Sequence, residues 1–176
     1  MTPTALQTIL NSITIIVDTR ENANSHITGY FTQNGIKFIE RALKFGDYSC
    51  EVDGISYENK VVLERKADIV ELSGNLAQNR VRFENELTKA KEAGAKLVLM
   101  VENGSFERII EHKYNTDLSE KSFLATLFTY SHRYNLDINF IEKRYSGLFI
   151  YYQLYYWVRN YLKEASHDYN QLHAIV

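Results

Sequence analysis

Glu64 and Lys66 close an apolar run, Val61-Val62-Leu63, with Arg65 between them. Side chains on a strand alternate with period two, so Glu64 and Lys66 share one face and Arg65 takes the other. Gly46-Asp47 stands upstream, and an Asp on a neighbouring strand can join that face. Two carboxylates and an ammonium on one face suit a divalent cation and an activated water. That is the chemistry of phosphodiester hydrolysis. A lone Glu-x-Lys is ordinarily a solvated strand face, and an Asp after Gly is ordinarily a turn. Their weight comes from a third feature: Ile13-Thr14-Ile15-Ile16-Val17 ends in Asp18-Thr19-Arg20-Glu21. Buried apolar strands do not end in unpaired acids without a reason.

The chain around these residues must supply strands to carry them. At 176 residues, 45% of them apolar and one of them proline, it suits a single domain with a full core. Residues 13–17 read as a buried strand, 36–43 and 46–52 as two more, and Asp53-Gly54 as a hairpin turn. The return strand spans about 55–66. Helical spacing marks residues 25–34, stopped by Gly35, and 80–93, with Phe83, Leu87 and Ala90 on one stripe and Gly94 as the stop. A buried strand follows at 96–102. Ser119 is placed to cap the next helix, and 136–141 alternates as a strand. A last, aromatic helix covers about 146–164. The expectation is an α/β fold with a central mixed β-sheet flanked by helices, over one domain at 1–176 whose motif-bearing core is about 13–141.

The hairpin imposes a geometric condition on the site. A two-residue turn at Asp53-Gly54 pairs Val52 with Ile55, which sets Asp47 opposite Lys60. Glu64 then lies four residues further along, roughly 13 Å away. Two ligands of one Mg²⁺, each about 2.0–2.1 Å from it, cannot be so far apart. The site requires a bulge or wider loop that shifts the register, and the polar stretch Tyr57-Glu58-Asn59-Lys60 is the candidate for it.

The ordered trio Val17-Asp18-Thr19-Arg20-Glu21, Gly46-Asp47-Tyr48 and Leu63-Glu64-Arg65-Lys66, followed by a helix with Arg82 and Phe83, resembles the XPF-type structure-specific nucleases. The resemblance implies a restriction-endonuclease-like fold and a stand-alone nuclease domain of the kind found in some bacterial and phage members. It implies Asp18, Asp47 and Glu64 as metal-cluster acids, with the Arg65 backbone carbonyl as a further ligand for Mg²⁺ or Mn²⁺. Lys66 would position or polarise the attacking water, and Arg20 and Glu21 would support. Val70 departs from the pattern, which commonly has Asp there; Asp68 and Glu71 flank it. The substrate implied is branched DNA, such as flaps, forks or single/double-strand junctions. A Holliday-junction resolvase, another restriction-like nuclease and a non-catalytic DNA-binding subunit are the alternatives.

Candidate phosphate contacts are Arg65, Arg80, Arg82, Lys89 and Lys91, with 82 and 89 on nearly one helix face. The net charge of −2 neither advertises nor excludes DNA, since bound cations reverse the local sign of an acidic cluster. The five histidines lack zinc-site spacing, so they read as packed or surface residues. The single Cys50 cannot pair internally and no signal-peptide pattern opens the chain; both fit a cytoplasmic, nucleoid-associated protein in a bacterial host. Residues 148–162 leave little polar face, and Tyr and Trp favour interfaces. XPF-type nuclease domains commonly pair, so a homodimer is expected.

Overall fold

The structure, a computed structural model, describes the backbone of residues 2–173 and the side chains of residues 2–167. The elements run α1 (Pro3–Leu10), β1 (Thr14–Val17), α2 (Ser25–Gln33), β2 (Phe38–Glu40), β3 (Tyr48–Val52), β4 (Ile55–Ser56), β5 (Val61–Lys66), α3 (Ile69–Leu76), α4 (Arg80–Glu92), β6 (Lys96–Glu102), α5 (Phe106–Ile110), α6 (Glu120–Tyr134), β7 (Asp137–Ile141), a 3₁₀ turn (Lys143–Tyr145) and α7 (Ser146–His173). The strands form one sheet in the order β2-β1-β3-β5-β6-β7, with β4 paired to β3. Pairing is parallel for β1–β2, β5–β6 and β6–β7 and antiparallel on both sides of β3. The sheet is therefore mixed, with helices on both faces, as the sequence pattern implies.

Each face carries a core. One packs α1, α2 and α7 over Ile15, Val17, Cys50, Leu63 and Met100; the other packs α3, α4 and α6 over Val62, Leu97, Leu99 and Val101. Alternation along β5 and β6 assigns each side chain to its face. In α7, Ile150, Leu154 and Val158 recur every four residues and are fully buried. Burying each such aliphatic chain contributes about 1.5–3 kcal/mol, which seats the aromatic helix on the sheet. That helix runs well past the sequence expectation of 164.

The expected single return strand is broken in two. Asp53 and Gly54 both have positive φ and make the tight turn, and Val52–Ile55 and Glu51–Ser56 pair in its register. Residues 57–60 then leave the ladder as a turn closed by Lys60 N–H and Val61 N–H donating to the Tyr57 carbonyl. When pairing resumes, Tyr48 faces Leu63, four residues out of the hairpin register. Tyr57 anchors the interruption: its ring is buried edge-on against Trp157 and Tyr161 of α7, with centroids 6.3 and 5.9 Å apart. The structure thus contains the irregularity the site requires, at the stretch the sequence marks for it.

The helical spacing of Ala5, Leu6, Ile9 and Leu10 anticipates α1, but two other helices escaped the sequence reading. α3 opens with Asp68 accepting from Glu71 N–H while Glu71 Oε2 accepts from Ala67 N–H, a reciprocal cap visible as Asp68-x-x-Glu71. α5 is a short segment capped by Ser105. No helix among the described residues is long and apolar enough to cross a membrane.

Candidate active site

The sequence motifs meet at one end of the sheet. Asp18 follows the C-terminal end of β1, Asp47 precedes the start of antiparallel β3, and Glu64 to Lys66 end β5. Gly46 delivers Asp47 there: its φ is +70°, and a Cβ at that position would meet Val62 Cβ at 3.0 Å and the Leu63 carbonyl at 3.1 Å. Only glycine lets the loop backbone approach β5 so closely. Asp47 N–H then donates to the Leu63 carbonyl at 2.7 Å, and Asp47 Oδ2 accepts from Arg65 N–H at 2.7 Å. Asp47 stands next to Glu64 rather than opposite Lys60.

Every residue of β5 is buried. Glu64 and Lys66 are each 6% exposed, which rules out the solvated-face reading of Glu-x-Lys. Lys66 Nζ donates to Glu64 Oε1 at 2.6 Å, stands 4.8 Å above the Phe83 ring and lies 3.9 Å from Glu71 Oε1. Burial and the Glu64 charge push the Asp47 carboxyl well above its ordinary range. Burial also raises Glu64, less so because Lys66 faces it. Burial works to lower Lys66, but the Glu64 charge outweighs it and holds the ammonium protonated.

Arg65 points the other way, as alternation requires. Its guanidinium meets Glu102 through Nε at 2.9 Å and Nη2 at 2.8 Å, and Glu21 through Nη1 at 2.8 Å. It is 6% exposed. This corrects its place among the phosphate contacts: the side chain is spent inside the protein. Its backbone N–H donates to Asp47 Oδ2 instead. A strand residue's N–H and C=O point to the same edge, so the carbonyl of Arg65 is on the side of Asp47, to which its N–H is bonded.

Asp18 is bonded within its own loop. Its Oδ1 accepts from Arg20 N–H and Nε at 2.8 and 2.7 Å, and its Oδ2 from Arg20 Nη2 and Leu43 N–H at 3.0 and 2.6 Å. Burial opposes ionisation, but these bonds prevail and hold the carboxyl below its ordinary range. Asp18 is absent from the residues that line the cleft. Among the described residues, no three His, Cys, Asp or Glu side chains gather to hold a metal ion. What remains is an oxygen set of two carboxylates, Asp47 and Glu64, with the Arg65 carbonyl beside them. It fits Mg²⁺ or Mn²⁺: the donors are hard oxygens, and the two carboxylates repel one another where a divalent cation would neutralise them.

The cleft over this cluster encloses about 260 Å³ and is lined by Arg20, Lys44, Arg82 and Lys89 as well as by acids. Arg82 is 84% exposed at its side chain and Arg20 65%. Arg80 pairs with Glu84 away from the cleft, and Lys91 Nζ donates to the Arg133 carbonyl. Of the helix cations named from sequence, Arg82 and Lys89 face the cleft and Arg80 and Lys91 do not. Sequence reading passed over Lys44 altogether and left Glu71 undecided. Glu71 lies beside Lys66, three residues from the cap Asp68, while Val70 is turned to solvent. It also missed Glu102, although that acid ends a buried strand, the same signal that singled out Asp18.

No curated protein sequence matches the chain significantly. Among solved structures, XPF from Aeropyrum pernix is similar at a TM-score of 0.58 and 19% identity, over 80% of this chain and 59% of that one. XPF from Aeropyrum pernix in complex with DNA is similar at 0.59 and 19%, over 78% and 60%. The chain spans less than two thirds of the length of these relatives, and the likeness establishes a restriction-endonuclease-like fold. Residues 17–152, which include every motif above, match the model of the ERCC4 domain, and the chain belongs to the ERCC4 domain family.

Proposed function

We propose that this protein is a divalent-metal-dependent DNA endonuclease that hydrolyses phosphodiester bonds in branched, flap or fork DNA. The observation that carries this reading is the four-residue register shift that sets Asp47 beside Glu64 and Lys66 in a cleft open to solvent. Asp47, Glu64 and the Arg65 carbonyl would hold the cation. Mg²⁺ or Mn²⁺, when bound, supplies a Lewis acid for the phosphate and a water of lowered pKa. Lys66, kept charged by Glu64, orients the attacking water and stabilises charge as it develops. Arg20, Lys44, Arg82 and Lys89 receive the DNA backbone along the cleft wall. Tyr145, Tyr152 and Tyr156, exposed beside an apolar groove on α7, support a homodimer. The whole chain then acts as one nuclease domain, inside the cell where its substrate is.

Labelled flap, fork, four-way-junction and single-stranded DNAs, incubated with and without Mg²⁺ or Mn²⁺ beside Glu64→Gln, test the reading. Wild type is expected to cut a branched substrate only with metal, and Glu64→Gln to lose cutting by on the order of 10³-fold. Folded wild type that cuts none of them sinks it. A preference for four-way junctions redirects it to a resolvase.

DNA binding is expected to depend on Arg82 and Lys89. Replacing both by Ala lowers affinity for all substrates alike and reduces the slope of log affinity against log salt by about 2. Lys91→Ala, whose ammonium is tied to α6, leaves the slope unchanged. Binding measured by fluorescence anisotropy in EDTA decides this, and an unaltered slope in the double variant removes the cleft wall from the DNA path.

A further inference from the structure

Behind the active-site strand lies a carboxylate that the proposed reaction does not use. Glu102 ends β6 and is fully buried. Its Oε1 accepts from Arg65 Nε at 2.9 Å and from Ser146 Oγ at 2.7 Å, and lies 2.6 Å from His26 Nε2. Its Oε2 accepts from Arg65 Nη2 at 2.8 Å. The partners come from the first turn of α2, from β5 and from the first residue of α7. A buried ion pair is weak evidence for stability, since apolar side chains of the same volume often serve as well. This one has a second consequence.

The parallel forks of Arg65 and Glu102 make a directional, bidentate contact, and Glu21 holds the remaining nitrogen at 2.8 Å. The guanidinium is thereby fixed on the far face of the sheet. The Arg65 peptide is the part of β5 that reaches the cation site, with its N–H on Asp47 Oδ2 and its carbonyl on the same edge. β3 begins only at Tyr48, so its ladder does not extend alongside Arg65. We propose that Glu102 is a positioning residue for the cation site, acting through the Arg65 side chain to hold the Arg65 peptide against Asp47. The inference rests on the metal-dependent reading given above. Outer partners of this kind tune affinity by fixing the orientation of the groups that touch the ion.

Mn²⁺ titrated calorimetrically into metal-free protein, well below its melting temperature, tests the proposal. Glu102→Gln keeps the shape and removes the charge, and its Mn²⁺ affinity is expected to fall by about 10–100-fold. Its DNA affinity in EDTA stays at the wild-type value. Loss of the carboxylate leaves Arg65 short of counter-charge, so the paired replacement Arg65→Met with Glu102→Met is measured too. It removes the buried pair as a unit, keeps the backbone, and is expected to lose Mn²⁺ affinity in the same range. A merely structural role lowers the melting temperature and leaves Mn²⁺ affinity alone; a folded variant that binds Mn²⁺ like wild type overturns the proposal. Wild type that binds no Mn²⁺ overturns the metal-dependent reading itself, and a competent wild type with unaffected variants overturns this inference by itself.

Discussion

Lys66→Met is expected to slow single-turnover cleavage by about 10²–10⁴-fold while Mn²⁺ still binds. The Lys66 ammonium is buried 2.6 Å from Glu64 and stands over the Phe83 ring. Methionine occupies a similar volume and keeps the aromatic contact, so the loss isolates the charge. The metal ligands are untouched. A cleavage rate within tenfold of wild type at saturating Mn²⁺ removes Lys66 from the chemistry. The same variant is expected to melt lower in EDTA, because the buried Glu64 carboxylate loses its counter-ion.

Asp47→Asn should move stability the other way. It abolishes cleavage, by on the order of 10³-fold, yet it is expected to raise the melting temperature in EDTA. Burial and Glu64 raise the Asp47 pKa in the folded state. A group shifted upward contributes stability below its unfolded pKa, and that contribution is lost as pH rises through the folded value. Ionising this carboxyl as pH rises toward neutral therefore costs the fold free energy. Asparagine keeps an oxygen to accept from Arg65 N–H and carries no charge, so the variant is expected to melt above wild type. Wild type in EDTA should also gain stability as pH is lowered from neutral, more than the variant does. Mg²⁺ should raise the melting point of wild type and not of the variant. Thermal melts with and without EDTA at two pH values check all of this. A variant that melts below wild type in EDTA contradicts the like-charge account of the site.

Much of this geometry was open to reading because it is local. Helix α4 has its apolar stripe at Phe83, Leu87 and Ala90, and the Asp53-Gly54 turn has the residues that tolerate positive φ. Alternation by itself separates Glu64 and Lys66 from Arg65, and the structure has them so. Sequence reasoning also recognised that a regular hairpin is incompatible with the site. It left the choice open where a side chain had two available partners. The resemblance implies Asp18 as a metal ligand, and in the structure its carboxylate accepts from Arg20 and the Leu43 amide. Alternation left Arg65 either to DNA or to an acid behind the sheet, and the structure gives it the buried Glu102 and the half-buried Glu21.

The sequence alone therefore determined which residues share a face, where the chain turns and which motifs define the family, since these depend on neighbours a few positions apart. Tertiary structure decided how far the register slips, because that is set by Tyr57 packing against α7 about a hundred residues away and by Gly46 lying against Val62. It also decided which acids remain available to a cation. Glu102 is beyond the reach of any local pattern as a partner for Arg65, because hydrogen bonds to a buried carboxylate are allotted by proximity in space, and that exists only once β5, β6, α2 and α7 have packed together.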